Sequence, residues 1–293
     1  MDAFTIKDLE NLSGIKAHTI RIWEQRYSFI KPQRTGTNIR YYSNDELRTI
    51  LNIALLNKYG YKISHIDKMQ PEQIKEKIET LQLTEAKQER VSNELINHMV
   101  NMNMDDFEEV LDGFIFEKGI DKTITQIIFP FLEKVGILWQ TNHIYPAQEH
   151  LVTNIIRQKL VVGIEGASST RKLDKNIILF LPENEFHELG LLFINYLLRI
   201  HGVKALYLGA SVPLKDLKFI VDLKPPEYIH THLSAVAHNF NFEKYLNNLH
   251  NRLPNVPIII SGWVTQSYKK TIPSNITFKH SLSEVIELIA TLN

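Results

Sequence analysis

The residues best suited to chemistry lie in one short run, where Glu185, His187 and Gly190 stand close together. A neutral imidazole is a good ligand for first-row transition metals such as cobalt. Glu185, two residues before the histidine, could accept a hydrogen bond from the second ring nitrogen, which would fix the tautomer and raise the basicity of the ring. His187 is therefore a candidate metal ligand. The simpler alternative is a histidine that stands in a surface loop by chance.

A second run, residues 138–150, contains Trp139 and, after nine intervening residues, Glu149 and His150. The pattern predicts that one helix ends at the tryptophan and that another opens around the adjacent glutamate and histidine. Neighbouring residues on a helix point about 100° apart, so these two side chains cannot both face an apolar core. The simpler interpretation is a loosely packed helix start with a surface histidine.

Polar and cationic residues also gather near the N-terminus, on the second of two short predicted helices. One face of that helix holds Ile20, Trp23 and Tyr27, a pattern that favours burial. The outward residues and their neighbours are His18, Thr19, Arg21, Gln25 and Arg26. Two helices joined by a turn at Gly14, with such side chains on the second, are typical of a helix-turn-helix.

A β-hairpin is predicted directly after this helix, over residues 31–42, with Gly36 in its turn. Its arms carry Arg34, Arg40 and Tyr41, whose side chains could contact phosphates at the edge of a duplex. The first 70 residues therefore predict a winged helix-turn-helix that binds DNA. A small helical module that binds another protein is the alternative on pattern alone.

Three segments must position these residues, and the chain is predicted to be multidomain, with domains over residues 1–70, 71–168 and 175–293. The middle segment has helical periodicity and is predicted to be a four-helix bundle. In the last segment, β-rich runs alternate with amphipathic helices, which predicts a doubly wound, flavodoxin-like α/β sheet. The predicted strands cover residues 176–181, 203–208, 228–234, 256–261 and 276–279. His187 then follows the first strand, at the strand ends where such sheets bind ligands.

Composition limits the class of protein. The 293 residues suffice for two or three domains, and the absence of cysteine excludes disulfides and thiolate metal sites. Residues 1–68 carry 11 Lys and Arg against 7 Asp and Glu, a basic excess that suits DNA binding but that an ordinary solvated surface also shows. With no signal peptide and no apolar run of about 20 residues, we expect a cytoplasmic protein that does not enter the membrane.

The head has a specific likeness in two runs, residues 19–24 (Thr-Ile-Arg-Ile-Trp-Glu) and residues 40–43 (Arg-Tyr-Tyr-Ser). In this order they resemble the MerR-type regulators, and the match covers roughly the first 70 residues. The resemblance implies a dimer on a palindromic operator in double-stranded DNA. The second helix would lie in the major groove and the hairpin, as a wing, on the flanking backbone.

A second resemblance rests on three runs near the predicted strand ends. They are Glu185-x-His187-x-x-Gly190, Ser234-Ala235-Val236 and Ser261-Gly262. The arrangement resembles the cobalamin-binding domain of methionine synthase and its relatives. It implies that His187 is the lower axial ligand of cobalt and that the nucleotide tail of the cofactor lies in a groove beside the other two runs. Ser261 replaces the first residue of a Gly-Gly pair and Trp263 follows it, which adds bulk beside the tail.

Trp139, Glu149 and His150 extend this resemblance to one branch, the MerR-type, cobalamin-dependent light-sensing repressors of carotenoid genes. The resemblance implies that these three side chains cover the upper face of the cobalamin, where an adenosyl group is held, and that the helical segment forms a cap. A histidine follows the tryptophan in the light-sensing members. Here that residue is Gln140, a far poorer ligand for cobalt.

These patterns predict a DNA-binding transcription repressor, not an enzyme, that is controlled by a bound cobalamin, with adenosylcobalamin as the expected form. We expect a homo-oligomer, a dimer or a tetramer, with a light response weakened by Gln140. One alternative is a MerR-type regulator with a vestigial pocket. The other is a cobalamin-carrying methyl-transfer module, which the winged head argues against because no substrate-activating domain is left in the chain.

Overall fold

The computed structural model describes residues 4–81, 83–140, 144–167, 169, 172–234 and 240–292. The chain divides between Ile155 and Ile156 into two compact units. The first unit contains helices and one β-hairpin, and the second contains a parallel sheet covered by helices. No helix in the described ranges is long and apolar enough to cross a membrane.

The first unit begins with the predicted DNA-binding head and continues into the helical segment. Its helices are α1 Ile6–Ser13, α2 Ala17–Arg26, α3 Asn44–Lys58, α4 Ile63–Ile66, α5 Pro71–Glu79, α6 Thr84–Val100, α7 Met104–Lys118, α8 Ile120–Thr123 and α9 Phe129–Gln140. The antiparallel strands β1 Gln33–Arg34 and β2 Arg40–Tyr41 form the hairpin. A further helix, α10 Pro146–Gly166, crosses from the first unit into the second.

Local signals set the ends of the helices in the head. Thr5 caps α1 in a reciprocal pair with Asp8, and Ser43 caps α3 in the same way with Glu46. Gly14 ends α1 at a φ of 74°, a left-handed conformation that strains residues with a side chain. The predicted helix, turn and second helix are confirmed, and so is the hairpin that follows them.

In the helical segment, α6 packs against both α7 and α9. The rings of Phe107 on α7 and Phe131 on α9 lie 5.5 Å apart, so an aromatic contact joins these two helices in the core. The fourth helix, α10, is divided between the two units at Ile155. The predicted four-helix bundle therefore stays a prediction.

A π-helical turn, Ile124–Ile128, joins α8 to α9. The backbone N–H of Phe129 donates to the carbonyl of Ile124, five residues back instead of four. Pro130 follows directly. Proline has no N–H and its ring crowds the carbonyl four residues back, so the wider turn accommodates Pro130 within the helical run.

The second unit is the predicted doubly wound sheet. Its strands are β3 Ile177–Pro182, β4 Leu206–Val212, β5 Tyr228–His232, β6 Ile258–Ser261 and β7 Ile276–Lys279. Its helices are α11 Leu189–Ile200, α12 Leu214–Leu223, α13 Phe242–Arg252, α14 Val264–Ser267 and α15 Leu282–Ala290. The strands pair in parallel in the order β4-β3-β5-β6-β7, which confirms the fold class, whereas the short α14 is not foreseen by the sequence pattern.

The strand order reverses at β3, since β4 lies on one side of it and β5 on the other. Every residue of β3 is buried, as expected for a strand covered on both faces. In such sheets ligands bind in the crevice at the carboxyl end of the strand where the order reverses. The loop between β3 and α11, which contains His187, occupies that position.

Candidate DNA-binding and cofactor sites

The second helix of the head, α2, has one buried and one exposed face, as its periodicity predicts. Ile20 and Trp23 are buried against the rest of the head, whereas Tyr27, predicted on the same face, follows the end of the helix and is half-buried. The exposed residues on the outer face are His18, Arg21, Gln25 and Arg26, and Thr19 is half-buried beside them. This face is flanked by the hairpin, so the structure brings the predicted DNA-binding residues onto a helix and wing of one head.

Glu24 ties the helix to the wing, a role that the sequence analysis missed. Its carboxylate accepts a hydrogen bond from Arg40 Nε at 3.0 Å and a second from the Tyr42 hydroxyl. Tyr42 is fully buried, and burial together with Glu24 raises the pKa of its phenol. Arg40 therefore positions the wing, and its predicted contact with phosphate stays a prediction. A single acid on an otherwise cationic helix is the signal in the sequence that points to such a pair.

The wing is braced by its own side chains. Arg34 donates to Asn38 Oδ1 at 2.7 Å across the turn, where Asn38 adopts a φ of 64°. The Tyr41 hydroxyl donates to Gln33 Oε1 at 2.6 Å across the two strands. Arg34 remains exposed at the tip, where a cation would meet a phosphate backbone.

The residues predicted to cover a cofactor lie on either side of the break between α9 and α10. Trp139, one residue before the end of α9, has 48% of its surface exposed. Glu149 Oε2 and His150 Nε2 lie 3.5 Å apart on the first turn of α10. Gln148, which the sequence analysis missed, is buried; its Oε1 accepts from the Tyr145 backbone N–H at 2.8 Å, which fixes the start of α10.

The pair predicted at the sheet edge forms in the structure. His187 Nδ1 lies 2.6 Å from Glu185 Oε1, and the backbone N–H of His187 donates to the same oxygen at 2.8 Å. Burial alone would raise the pKa of the Glu185 carboxyl, but the hydrogen bonds from His187 outweigh it and hold that pKa below its ordinary value. The buried carboxylate therefore fixes the direction of an imidazole that is mostly exposed.

The remaining predicted cofactor residues lie at the ends of β5, β6 and α11. A Cβ atom built on Gly190 would lie 2.2 Å from His232 Cδ2, and one on Gly262 would lie 2.3 Å from the Leu233 carbonyl oxygen. Ser234 is exposed just beyond β5. Val236 lies outside the described residues, as does the side chain of Gln140.

Ser261, expected to add bulk to the groove, is instead the centre of a buried network. Its hydroxyl lies 2.8 Å from His230 Nε2 and 2.9 Å from His232 Nδ1. Burial lowers the pKa of His230 to about 3 and that of His232 to about 4, so both rings are neutral. The sequence analysis missed both histidines.

Two parts of this edge can be compared with the cobalamin that the sequence resemblance implies. The donor set fits, because Glu185 holds Nδ1 of His187, and Nε2 is then the ring nitrogen that would bind cobalt. The place expected for the nucleotide tail fits poorly, since the ring of His232 already stands against Gly190.

Comparisons with known proteins cover both halves of the chain. A profile of the MerR HTH family regulatory proteins matches residues 4–73, and a profile of the B12 binding domain matches residues 91–162. The chain is 27% identical over 274 residues to the HTH-type transcriptional repressor CarH of Myxococcus xanthus, an alignment that covers 91% of each protein. It is also 27% identical over 271 residues to the HTH-type transcriptional repressor CarA of that organism, covering 91% of this chain and 89% of CarA. A solved structure, the monomethylamine corrinoid protein of Methanosarcina barkeri, aligns with a TM-score of 0.49 at 14% identity, over 68% of this chain and 96% of that one.

Proposed function

This chain joins a MerR helix-turn-helix domain to a B12 binding domain, and we propose that it is a transcription repressor whose binding to DNA is controlled by cobalamin. One observation carries the proposal: both profiles match in one chain, which aligns over 91% of its length with two proteins named as transcriptional repressors. The role is regulatory, and no catalytic reaction is assigned to the chain.

The DNA-binding step rests on the outer face of α2 and on the wing. His18, Arg21 and Gln25 enter the major groove, where their side chains meet base edges and phosphates. The wing lies on the flanking backbone with Arg34 at its tip. Glu24 and Arg40 keep the wing at a fixed angle to the helix, because their ion pair and the bond to Tyr42 join the two elements.

The proposed cofactor is adenosylcobalamin, whose cobalt His187 would bind. Adenosylcobalamin supplies a cobalt–carbon bond that light breaks, and that photochemistry belongs to the cofactor. The chain supplies placement: Glu185 holds the ring of His187, and Trp139, Glu149 and His150 are the residues that would contact an adenosyl group. Gln140 is a poor cobalt ligand, so any light response is weak or readily reversed.

Communication with DNA runs through the first unit, in which the head and helical segment pack together. Lys58 on α3 contacts Glu89 on α6 at 2.6 Å, and Lys134 on α9 donates to Asn93 on α6 at 2.7 Å. α9 also packs against α1 and ends beside Trp139. A ligand that contacts Trp139 can therefore bias the head, by no more than its preference for one arrangement over the other.

The test is to purify the protein with adenosylcobalamin and to compare its absorbance, native mass and operator binding before and after illumination. A bound red cofactor that changes operator affinity, with a dimer or tetramer in the native mass, is the expected result. A colourless protein that binds its operator equally well with and without cobalamin would instead support a MerR-type regulator with a vestigial pocket. Methyl transfer from protein-bound methylcobalamin to a thiol acceptor, tested separately, would point to a methyl-transfer module.

A further inference from the structure

We infer that His232 fills the place in the groove where a cobalamin's nucleotide tail would insert, so that this chain selects corrinoids by their ring and not by their tail. The inference deepens the proposed function and rests on it, because it specifies which corrinoids the same site accepts. His232 is then a specificity-determining residue that no sequence pattern identifies.

Gly190 and His232 show that the groove is occupied. Gly190 stands near the start of α11, which packs against β5. A Cβ atom there would lie 2.2 Å from Cδ2 and 2.6 Å from Nε2 of His232, distances far below van der Waals contact. The space left by the missing side chain at Gly190 is therefore taken by an imidazole of the same protein.

A hydrogen-bond network holds that imidazole in place. His232 pairs in register with Ser261 across β5 and β6, and its Nδ1 lies 2.9 Å from the Ser261 hydroxyl. The same hydroxyl lies 2.8 Å from Nε2 of His230, and both His230 and Ser261 are buried. Because a hydroxyl has one proton to donate, one ring accepts and the other donates. Moving His232 out of the groove would break its hydrogen bond to the buried Ser261 hydroxyl.

The backbone after β6 also lies close to the end of β5. Gly262 adopts a φ of 104°, and a Cβ atom on it would lie 2.3 Å from the Leu233 carbonyl oxygen. The side chain of Trp263, expected from the sequence to crowd the tail, is mostly exposed. The bulk in the groove thus comes from the histidine on β5 and not from the tryptophan after β6.

His187 is not part of this network, since it stands in the β3–α11 loop with 62% of its side chain exposed. Ligation of cobalt and insertion of a tail are therefore separable in this chain. A corrinoid that lacks the nucleotide, such as cobinamide, should bind as well as cobalamin does. Removing the imidazole of His232 should open the groove and create a preference for the complete cofactor.

The experiment compares the wild-type chain with His232→Gly and His232→Ala, and uses His201→Gly, at the far end of α11, as the matched control. Visible titrations with hydroxocobalamin and aquacobinamide give the ratio of the two affinities. We expect a ratio near one for the wild type and the control, and a preference for cobalamin of about tenfold or more in the groove variants. A wild-type protein that already prefers cobalamin tenfold would overturn the inference.

A second measurement does not depend on corrinoid binding. The free base of the tail, 5,6-dimethylbenzimidazole, should raise the melting temperature of His232→Gly or His232→Ala and leave that of the wild type and of His201→Gly unchanged, as expected when a ligand fills an engineered cavity. If the wild type binds neither corrinoid, the proposed function fails, and this measurement still decides the inference. The inference is supported if the base stabilises the groove variants alone. It is overturned if the groove variants fold but the base does not stabilise them.

Discussion

The head and the sheet edge each use a carboxylate to aim a basic side chain, but over different distances along the chain. In the head, Glu24 on α2 holds Arg40 on β2, and the side chains are 8% and 32% exposed. At the sheet edge, Glu185 holds His187 two residues away within one loop, and the side chains are 7% and 62% exposed. The acid is buried in both pairs, and the base is far more exposed in the second.

This difference separates two uses of the same chemistry. A pair that joins a helix to a hairpin is part of the fold, since its loss frees one element from the other. A pair within a single loop only sets the direction of a ring, so the sheet can form without it. Variants of the first pair should therefore change stability and function together, and variants of the second should act mainly on function.

The largest effect is expected from Glu24→Gln. The neutral amide is a weaker acceptor for Arg40 and Tyr42, so the wing should loosen, with a loss of about 2–3 kcal/mol in the free energy of unfolding and of most operator affinity. Denaturant unfolding and gel shifts measure the two effects. Asp45→Asn, which removes a surface pair with Arg48, is the control and should change neither by much. Equal losses in both variants would contradict the role of Glu24 in joining α2 to the wing.

Arg21→Ala and Arg40→Ala should both reduce operator binding, for different reasons. Arg21 is exposed on the outer face of α2, so its loss should cost about tenfold in affinity and lessen the dependence on salt, with stability unchanged. Arg40→Ala should lower affinity and stability together. Cobalamin binding should be unaffected in both. Gel-shift affinities equal to the wild type in both variants would show that this head does not bind the operator.

At the sheet edge, His187→Ala should weaken cobalamin binding and abolish the absorbance change of an imidazole-ligated cobalt. The backbone N–H at this position still donates to Glu185, so the melting temperature should fall less than in Glu24→Gln. Glu185→Gln should act in the same direction more mildly, by about tenfold in affinity, because it only loosens the ring. Visible spectra of saturated protein, together with thermal melts, make the measurement. Identical spectra for wild type and His187→Ala would show that His187 is not a ligand.

His230 and His232 extend the comparison to pH. Burial holds their pKa values at about 3 and about 4, below the ordinary value near 6.5, so the unfolded chain binds more protons as the pH falls. Their contribution to stability is therefore complete above about pH 6.5 and declines below it, by up to about 1.4 kcal/mol per pH unit for each ring. Denaturant unfolding between pH 7.5 and 5 should show this decline, and His232→Gln should make it shallower. If stability falls with pH just as steeply in that variant, His232 does not contribute to the pH dependence.

The smallest effect concerns light. With adenosylcobalamin bound, the wild type should show a weak or quickly reversed change in operator binding on illumination, because the amide of Gln140 is a poor cobalt ligand. Gln140→His should strengthen the response and prolong it in the dark, and Gln140→Ala should not. A strong, lasting response in the wild type that is indifferent to residue 140 would point to a different histidine.

Much of this fold can be predicted because its elements are defined by local patterns. The strand Ile276–Lys279 begins and ends where the sequence analysis places it. β3, β5 and β6 differ from the predicted bounds by one or two residues, and β4 differs most, predicted at residues 203–208 and found at Leu206–Val212. Gly209 and Ser211 lie in β4 with positive φ values, and the pairing of β4 with β3 shifts its register beside them. This irregular stretch lacks the apolar pattern from which the other strands are predicted.

The candidate sites divide in the same way. The Glu185–His187 pair is predictable since both residues lie in one loop at a known position of the fold. His232 against Gly190, and Glu24 against Arg40, depend on how separate elements pack, which periodicity does not encode. In the sequence, a histidine within an apolar strand only interrupts the apolar pattern. Its contact with a helix can be recognised only once the packing of that helix on the strand is known.

The π-helical turn before Pro130 sets how far α9 is rotated about its axis relative to α8. It holds one residue more than an α-helical turn would, and each residue of a helix turns the chain by about 100°. Deleting one residue within Ile124–Ile128 would therefore rotate all of α9 relative to α8. Phe131 and Leu138 would leave the core, and Trp139 would point away from its present direction. The direction in which Trp139 points thus depends on the number of residues in the π-helical turn, about three turns earlier in the helix.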